Sequence, residues 1–253
     1  MVRFQASPGK LLLIADRVGK FLISNGDEIL IEKADGVADD EIRWFLFSAV
    51  LGPLLIQRDM LAMRAAAFVH SGEAVLIFGM AGMGKSTLIA AANQRGFTPI
   101  SDEPCLLETP DRKESGPVMV KPGLPFLKLW RDSLNLLQLF NDDLKPVRPG
   151  LEKYIAPITN QLAKPLPIKR AYLLEPAKVE SATTKPISGA ARFRVFQNMI
   201  CRPNLIRAMG NPKKMFEQCA SLAEKIDLRL VDRSEKGMFL GKLIAAIEKD
   251  LQS

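Results

Sequence analysis

Histidine occurs once in the 253 residues, cysteine three times, and tryptophan and tyrosine twice each. The one histidine, His70, sits beside Ser71-Gly72 at an expected turn, which leaves a Ser/His/Asp hydrolase or a histidine-metal site without material. Cys105, Cys201 and Cys219 are far apart and form no C-x-x-C, so neither a disulfide framework nor a zinc site is expected, and reduced thiols fit a cytosol. Long apolar runs are missing. Residues 11–15 are too short for a secretory segment, and residues 44–56 contain Gly52-Pro53 and fall short of the roughly 20 residues a membrane helix needs. No dense Lys/Arg run with interleaved aromatics occurs, so a nucleic-acid surface is not expected. No internal repeat or low-complexity tract stands out. These absences describe a soluble cytoplasmic chain without a membrane partner.

Hydrophobic content of 47% and charged content of 25% are ordinary for a globular chain, long enough for one large α/β domain or one domain plus a small N-terminal subdomain. Thirty-five Lys+Arg against 28 Asp+Glu leave a net +7, which suits an anionic ligand or an acidic partner.

Residues 10–33 read as β-structure with a hairpin turn at Asn25-Gly26. A helix follows, capped by Asp39 or Asp40 and ended by Gly52-Pro53, with Ile42, Phe45, Leu46, Ala49 and Val50 on one face towards the core. Residues 61–69 and 73–78 read as strands joined at Ser71-Gly72, so the next segment is entered from a hairpin, which points to a mixed sheet. Residues 84–95 read as a helix stopped by Gly96, and 97–102 as a returning strand that Pro104 cuts off. Further on, 125–140 reads as helical. Residues 141–168, with five prolines, read as a long loop or partner-facing segment, and 170–175 as a short strand. The last 65 residues read as mostly helical, broken at 210–212 and by a strand at 228–232.

The chemistry concentrates at Gly79-Met80-Ala81-Gly82-Met83-Gly84-Lys85-Ser86, which fits G-x-x-x-x-G-K-[ST]. The glycines let successive backbone N–H groups approach phosphate oxygens, and the following helix adds its positive end. Gly79, Ala81, Gly82, Met83, Gly84, Lys85, Ser86 and Thr87 are therefore the candidate nucleotide-binding residues, with Lys85 towards the β- and γ-phosphates and Ser86 towards Mg²⁺. A helix over 84–95 carries the chain away by roughly 18 Å, and a six-residue strand brings it back by about 20 Å. Asp102 should then end beside the loop, able to bind Mg²⁺ or to take a proton from an attacking hydroxyl, with Glu103 adjacent for either task. The plainer alternative is that both acids begin a turn before Pro104. Glu175, at the end of an apolar strand, is a rival that would position water in an ATPase. Arg64, mid-strand, either lies on an open face or points towards phosphate. Arg131, Lys153 and Arg170 are candidates for phosphate or acidic-substrate contacts.

The order "LGPLLIQRD", hairpin, "FGMAGMGKSTL", helix ending "QRGF", then "ISDE" resembles the catalytic domain of HPr kinase/phosphorylase. It is more similar still to the stand-alone HPr-kinase-like proteins of bacterial peptide-modification clusters, including lasso-peptide serine kinases. "PGLPFLKLWRDSL" and "LEKY" also look like segments of that group, and the resemblance covers roughly residues 45–175. It implies a mixed-sheet α/β P-loop kinase fold shared with phosphoenolpyruvate carboxykinase, and the residue pattern divides the chain into an N-terminal β-rich subdomain packed on the core (1–38), a kinase core (39–187) and a mostly helical C-terminal part of the same domain (188–253). It implies ATP and Mg²⁺ as cofactors and transfer of the γ-phosphoryl group to a serine hydroxyl of a peptide or small protein, in a protein that often forms homo-oligomers. Asp102 matches the family's catalytic base, Glu103 its second acid, which is usually Asp, and Lys85 and Ser86 its phosphate and Mg²⁺ residues. Two positions depart: Arg64 stands in "RAAAF" where the family has a histidine, and "VKPGLP" lacks the family's signature glutamate. The alternatives carried beside a kinase are a nucleotide-binding regulatory or assembly protein and a P-loop ATPase.

Overall fold

The computed structural model describes residues 2–110, 115–148, 150–179, 181–234 and 240–252. Strands β1 (Val2–Ser7), β2 (Lys10–Ala15), β3 (Gly19–Ser24) and β4 (Glu28–Lys33) form an antiparallel meander. Asn25 and Gly26 turn the chain between β3 and β4 at φ of 52° and 75°, values that suit asparagine and glycine. β1 escaped the sequence reading because it is almost wholly exposed and carries no alternation towards a core. Leu11 and Leu13 on β2 and Phe21 and Ile23 on β3 do alternate, and they join a core that includes Ile56, Met63 and Leu222.

Helix α1 (Asp39–Phe45) passes through a π-helical turn (Leu46–Val50) into α2 (Leu51–Gln57). Gly52-Pro53 therefore does not end the helix. The N–H of Leu51 reaches back to Leu46 O, and the wider turn leaves Pro53 in the first turn of α2, where a missing donor is tolerated. Neither Asp39 nor Asp40 is the cap. Ala38 takes that position without a side-chain bond, and the two acids sit in the first turn, where they complement the helix dipole. Ile42 and Val50 are buried, and Phe45, Leu46 and Ala49 pack on the same core.

The expected strand over 61–69 is two, β5 (Leu61–Met63) and β6 (Ala65–His70), split at Arg64, whose N–H bonds to Met199 O instead of a strand. After β7 (Glu73–Phe78) come α3 (Lys85–Gln94), β8 (Thr98–Ser101), β9 (Cys105–Glu108) and β10 (Met119–Val120). The helix expected over 125–140 is a strand, β11 (Phe126–Trp130), followed by a short helix, α4 (Arg131–Leu136). The expected loop over 141–168 contains β12 (Lys153–Pro157), antiparallel to β11. The chain ends with β13 (Leu166–Ala177), β14 (Thr184–Pro186), α5 (Gly189–Asn198), α6 (Pro203–Met209), α7 (Pro212–Lys225), β15 (Asp227–Ser234) and α8 (Leu240–Leu251).

The large sheet runs β5-β9-β10-β13-β7-β6-β8, with β15 beside β13 and β14 beside β15. β13 is parallel to β7 and β15, while β6 is antiparallel to both β7 and β8, so the sheet is mixed. Strands β7 and β8, on either side of β6, thus point the same way and end at one edge. Both sheet faces are covered. Leu76 and Phe78 face the first core, whereas Val75 and Ile77 face a second one built with Leu88 and Ile89 of α3 and Leu243 and Ile244 of α8. That two-sided burial explains the near-continuous apolar run of β7. Among the described residues no helix is long and apolar enough to cross a membrane.

Candidate active site

β7 delivers the chain to the glycine loop, and α3 leaves it at the same edge of the sheet. Gly82 and Gly84 both take φ of +85°, which a residue with a Cβ adopts only under strain, and Gly84 is the N-cap of α3. Lys85, 6% exposed, turns its ammonium inward: Nζ donates to Gly79 O at 2.7 Å and Met80 O at 3.3 Å and lies 3.0 Å from Glu103 Oε2. A buried lysine needs such partners to remain charged.

β8 ends beside this loop, as the lengths of helix and strand require. Ser86 Oγ donates to Asp102 Oδ1 at 2.9 Å and Oδ2 at 3.0 Å, and Asp102 is 7% exposed. From β11 the Lys128 N–H donates to Asp102 Oδ2 at 3.1 Å, and the Lys128 ammonium donates to Glu103 O at 2.9 Å. Gly123 pins the strand from below. Its N–H bonds to Ile100 O at 2.9 Å, and a Cβ there would lie 2.4 Å from Ser101 Oγ and 3.0 Å from Ser101 Cα. The Gln161 amide clamps both segments by donating to Ile100 O and Gly123 O.

Together these groups line a cavity of about 350 Å³ bounded by Ala81, Gly82, Gly84, Lys85, Ser86 and Thr87 on one side and Trp130, Ser133 and Lys153 on the other. Its volume falls within the roughly 300–1,000 Å³ of small-molecule sites. Three ammonium groups, from Lys85, Lys128 and Lys153, and the carboxylates of Asp102, Glu103 and Asp132 share it. Burial, then the charges of Lys128 and Lys85, hold Lys153 below the ordinary lysine value, with Asp102 and Glu103 opposing. Lys153 also lies 5.5 Å over the Trp130 ring. The Ser86 hydroxyl and the Asp102 carboxylate form an oxygen donor pair that fits Mg²⁺, an ion usually held through one or two carboxylates with phosphate and water completing its shell.

No family profile matches the sequence, and no curated protein matches it. Among solved structures, the HPr(Ser) kinase/phosphatase from Coxiella burnetii is similar over 75% of this chain and 89% of that one, at 12% identity and a TM-score of 0.40. A likeness that distant places no residue and assigns no activity.

Ala81, Gly82, Gly84, Lys85, Ser86, Asp102 and Glu103 therefore meet in one cavity, whereas Gly79 lies outside its lining and accepts from Lys85 Nζ. Thr87 lines it too, but its hydroxyl is 3.0 Å from Ser133 Oγ and ties α3 to α4. The Met83 side chain packs on the second core and against Gly79. Of the three further basic candidates only Lys153 lines the cavity. Arg131 pairs with Glu152 at 2.9 Å and covers the Phe140 ring, and Arg170 is bound to Asp250 and Asp227, so neither is available there. His70 stacks on Phe97 at the far end of β6. Glu175 is exposed opposite Asp232 and lies outside the cavity lining. Arg64 faces a neighbouring cavity together with Ala81 and Glu103. The sequence reading missed Lys128, Gly123 and Ser133. The strand alternation of Leu127 and Leu129, both buried around Lys128, was the available signal.

Proposed function

We propose that this chain is an ATP- and Mg²⁺-dependent kinase that phosphorylates a serine or similar hydroxyl of a peptide or small protein. One observation carries the reading: a buried carboxylate, Asp102, accepts both from the serine hydroxyl of a glycine loop and from the Lys128 N–H of β11. The loop N–H groups and Lys85 bind the phosphates of ATP. Ser86 and Asp102 would hold Mg²⁺, which when bound would neutralise charge at the phosphates. Asp102 takes the acceptor's hydroxyl proton while that oxygen bonds to the γ-phosphorus and the bond from phosphorus to the β,γ-bridging oxygen breaks, releasing ADP. Glu103 holds Lys85, and Lys128 holds the backbone that carries both acids. Such a transfer is mainly positioning and electrostatics, which matches a site of few groups on rigid elements.

The test is incubation with labelled ATP, Mg²⁺ and serine peptides, read by mass spectrometry for a phosphoryl group on peptide. Asp102→Asn should lose transfer by roughly 10²-fold or more, the contribution of a general base, with metal-free ATP binding retained. ATP hydrolysis that survives Asp102→Asn but is abolished by Glu175→Gln would instead make the chain an ATPase. ATP binding with neither transfer nor hydrolysis would make it a binding module.

A further inference from the structure

Two more cavities open beside the loop cavity, and all three meet at Glu103 and Lys128. The first, of about 180 Å³, is apolar, with walls from Trp44, Phe47, Leu51, Leu55, Leu124 and Phe126, and it also reaches Asp102. It is smaller than the roughly 300 Å³ of a whole small-molecule site, so it has room for one side chain. Its aromatic wall is preformed: Trp44 stands edge-on to Phe126 at 5.5 Å, and Phe47 lies 6.0 Å from Trp44 and 6.1 Å from Phe126. A preformed apolar concavity with a polar group at its edge is the usual form of a ligand subsite. The second cavity, of about 350 Å³, is cationic, with Arg64 and Arg202 on its wall beside Phe47 and Ser48. Among the described residues neither guanidinium has a hydrogen bond or ion pair, and the chain's net +7 adds to the attraction for an anion.

Resting on the kinase reading, we infer that the acceptor is a peptide whose serine is flanked by a bulky apolar side chain, seated in the aromatic-walled cleft, and by an acidic side chain, held by Arg64 and Arg202. Asp102 lines both the loop cavity and the apolar cleft, so the hydroxyl is presented at the carboxylate by its neighbours. Charge complementarity and continuity with the loop cavity select this occupant.

The full chain, immobilised with Mg²⁺ and a non-hydrolysable ATP analogue, is exposed to a position-scanned library of amide-capped serine peptides. Captured peptides are identified by mass spectrometry, and the same library is assayed for transfer with ATP. The expected result is enrichment of Phe, Leu or Ile at one position near serine and of Asp or Glu at another. Leu124→Ala, at a residue of the apolar cleft alone, should reduce the apolar preference by about tenfold, the worth of one buried apolar side chain, and spare the acidic one. Arg202→Gln should do the reverse, and Ser48→Trp, at an exposed residue that lines both cavities, should weaken both preferences. All three should bind the labelled ATP analogue as the parent does. No capture, capture without flanking preferences, or weaker ATP-analogue binding by Ser48→Trp overturns the inference, the last because the cleft would then hold the nucleotide. Transfer to peptides regardless of their flanks overturns it while leaving the kinase standing. Capture with both preferences but no transfer upholds the cleft and removes the kinase.

Discussion

The Ser86 hydroxyl and the Asp102 carboxylate are bonded across the helix-strand gap, with Oγ 2.9 and 3.0 Å from the two carboxylate oxygens. Sixteen positions separate them in sequence, and only the equal reach of α3 and the returning strand brings them together. In the proposed kinase a cation would take the place of that hydrogen bond as the link between the two side chains.

Ser86→Ala removes one ligand and leaves Asp102 with the Lys128 N–H. ATP should then bind nearly as well without Mg²⁺ as with it, whereas the parent should bind more tightly with Mg²⁺. Calorimetric titrations with and without the metal decide this. An undiminished Mg²⁺ effect in the variant takes Ser86 out of the metal site.

Gly123 acts one step further from the chemistry. A methyl group there meets Ser101 backbone and side chain at 2.4–3.0 Å, so Gly123→Ala must push away the end of β8, which carries Asp102 next in the chain. A displacement of about 1 Å can cost roughly 10²-fold in rate. Transfer should fall by that order while ATP affinity, set by the loop, stays near the parent's. Equal losses in both would mean that the glycine supports the whole site instead of the position of Asp102.

Much of this geometry was legible in the sequence because it is local. The loop, helix and strand follow one another without interruption, and their lengths alone bring Asp102 back to Ser86. Lys128 was hidden because residues 125–140 satisfy helical and strand periods at once. What makes 126–130 a strand is its partner at 153–157, a non-local pairing in a stretch whose prolines read as loop. Gly52-Pro53 misled for a different reason. A π turn just upstream absorbs the proline, and no composition rule announces such a turn. Arg170 was a candidate for phosphate or acidic-substrate contacts because the acid that neutralises it, Asp250, lies far along the sequence on the last helix.

Lys153 gives a proton-linked prediction. Burial and two neighbouring ammonium groups depress its pKa below the ordinary lysine value of 10.5, so it gives up its proton over a lower range of pH than an exposed lysine does. A bound phosphate anion favours the charged form and pulls its pKa up. ATP binding should therefore take up protons in that pH range, seen as a dependence of calorimetric heat on buffer ionisation enthalpy. Lys153→Met should abolish the uptake. Uptake of the same size in the variant assigns the proton elsewhere.

The last helix is anchored by a charged cluster away from the site. Asp250 on α8 accepts from Tyr172 Oη at 2.8 Å, Thr184 Oγ1 at 2.6 Å, Arg229 Nη1 at 2.6 Å and Arg170 Nη1 at 3.0 Å, joining α8 to β13, β14 and β15. Burial by itself raises the carboxyl's pKa, but the Thr184 and Tyr172 hydrogen bonds and the charges of Arg229 and Arg170 outweigh it and hold the value below the usual carboxylate range. A depressed folded value means stability that is fully present above the unfolded value of about 3.9 and is lost as pH falls through the folded one. Asp250→Asn should therefore lower stability near neutral pH by about 3 kcal/mol, the lower end for breaking a buried pair, because Asp227 still faces both arginines. Below about pH 4 the gap between variant and parent should narrow, since protonation removes the parent's advantage. Urea unfolding across that pH range measures both effects, and a gap that stays constant into acid would show that Asp250 contributes packing and no charge.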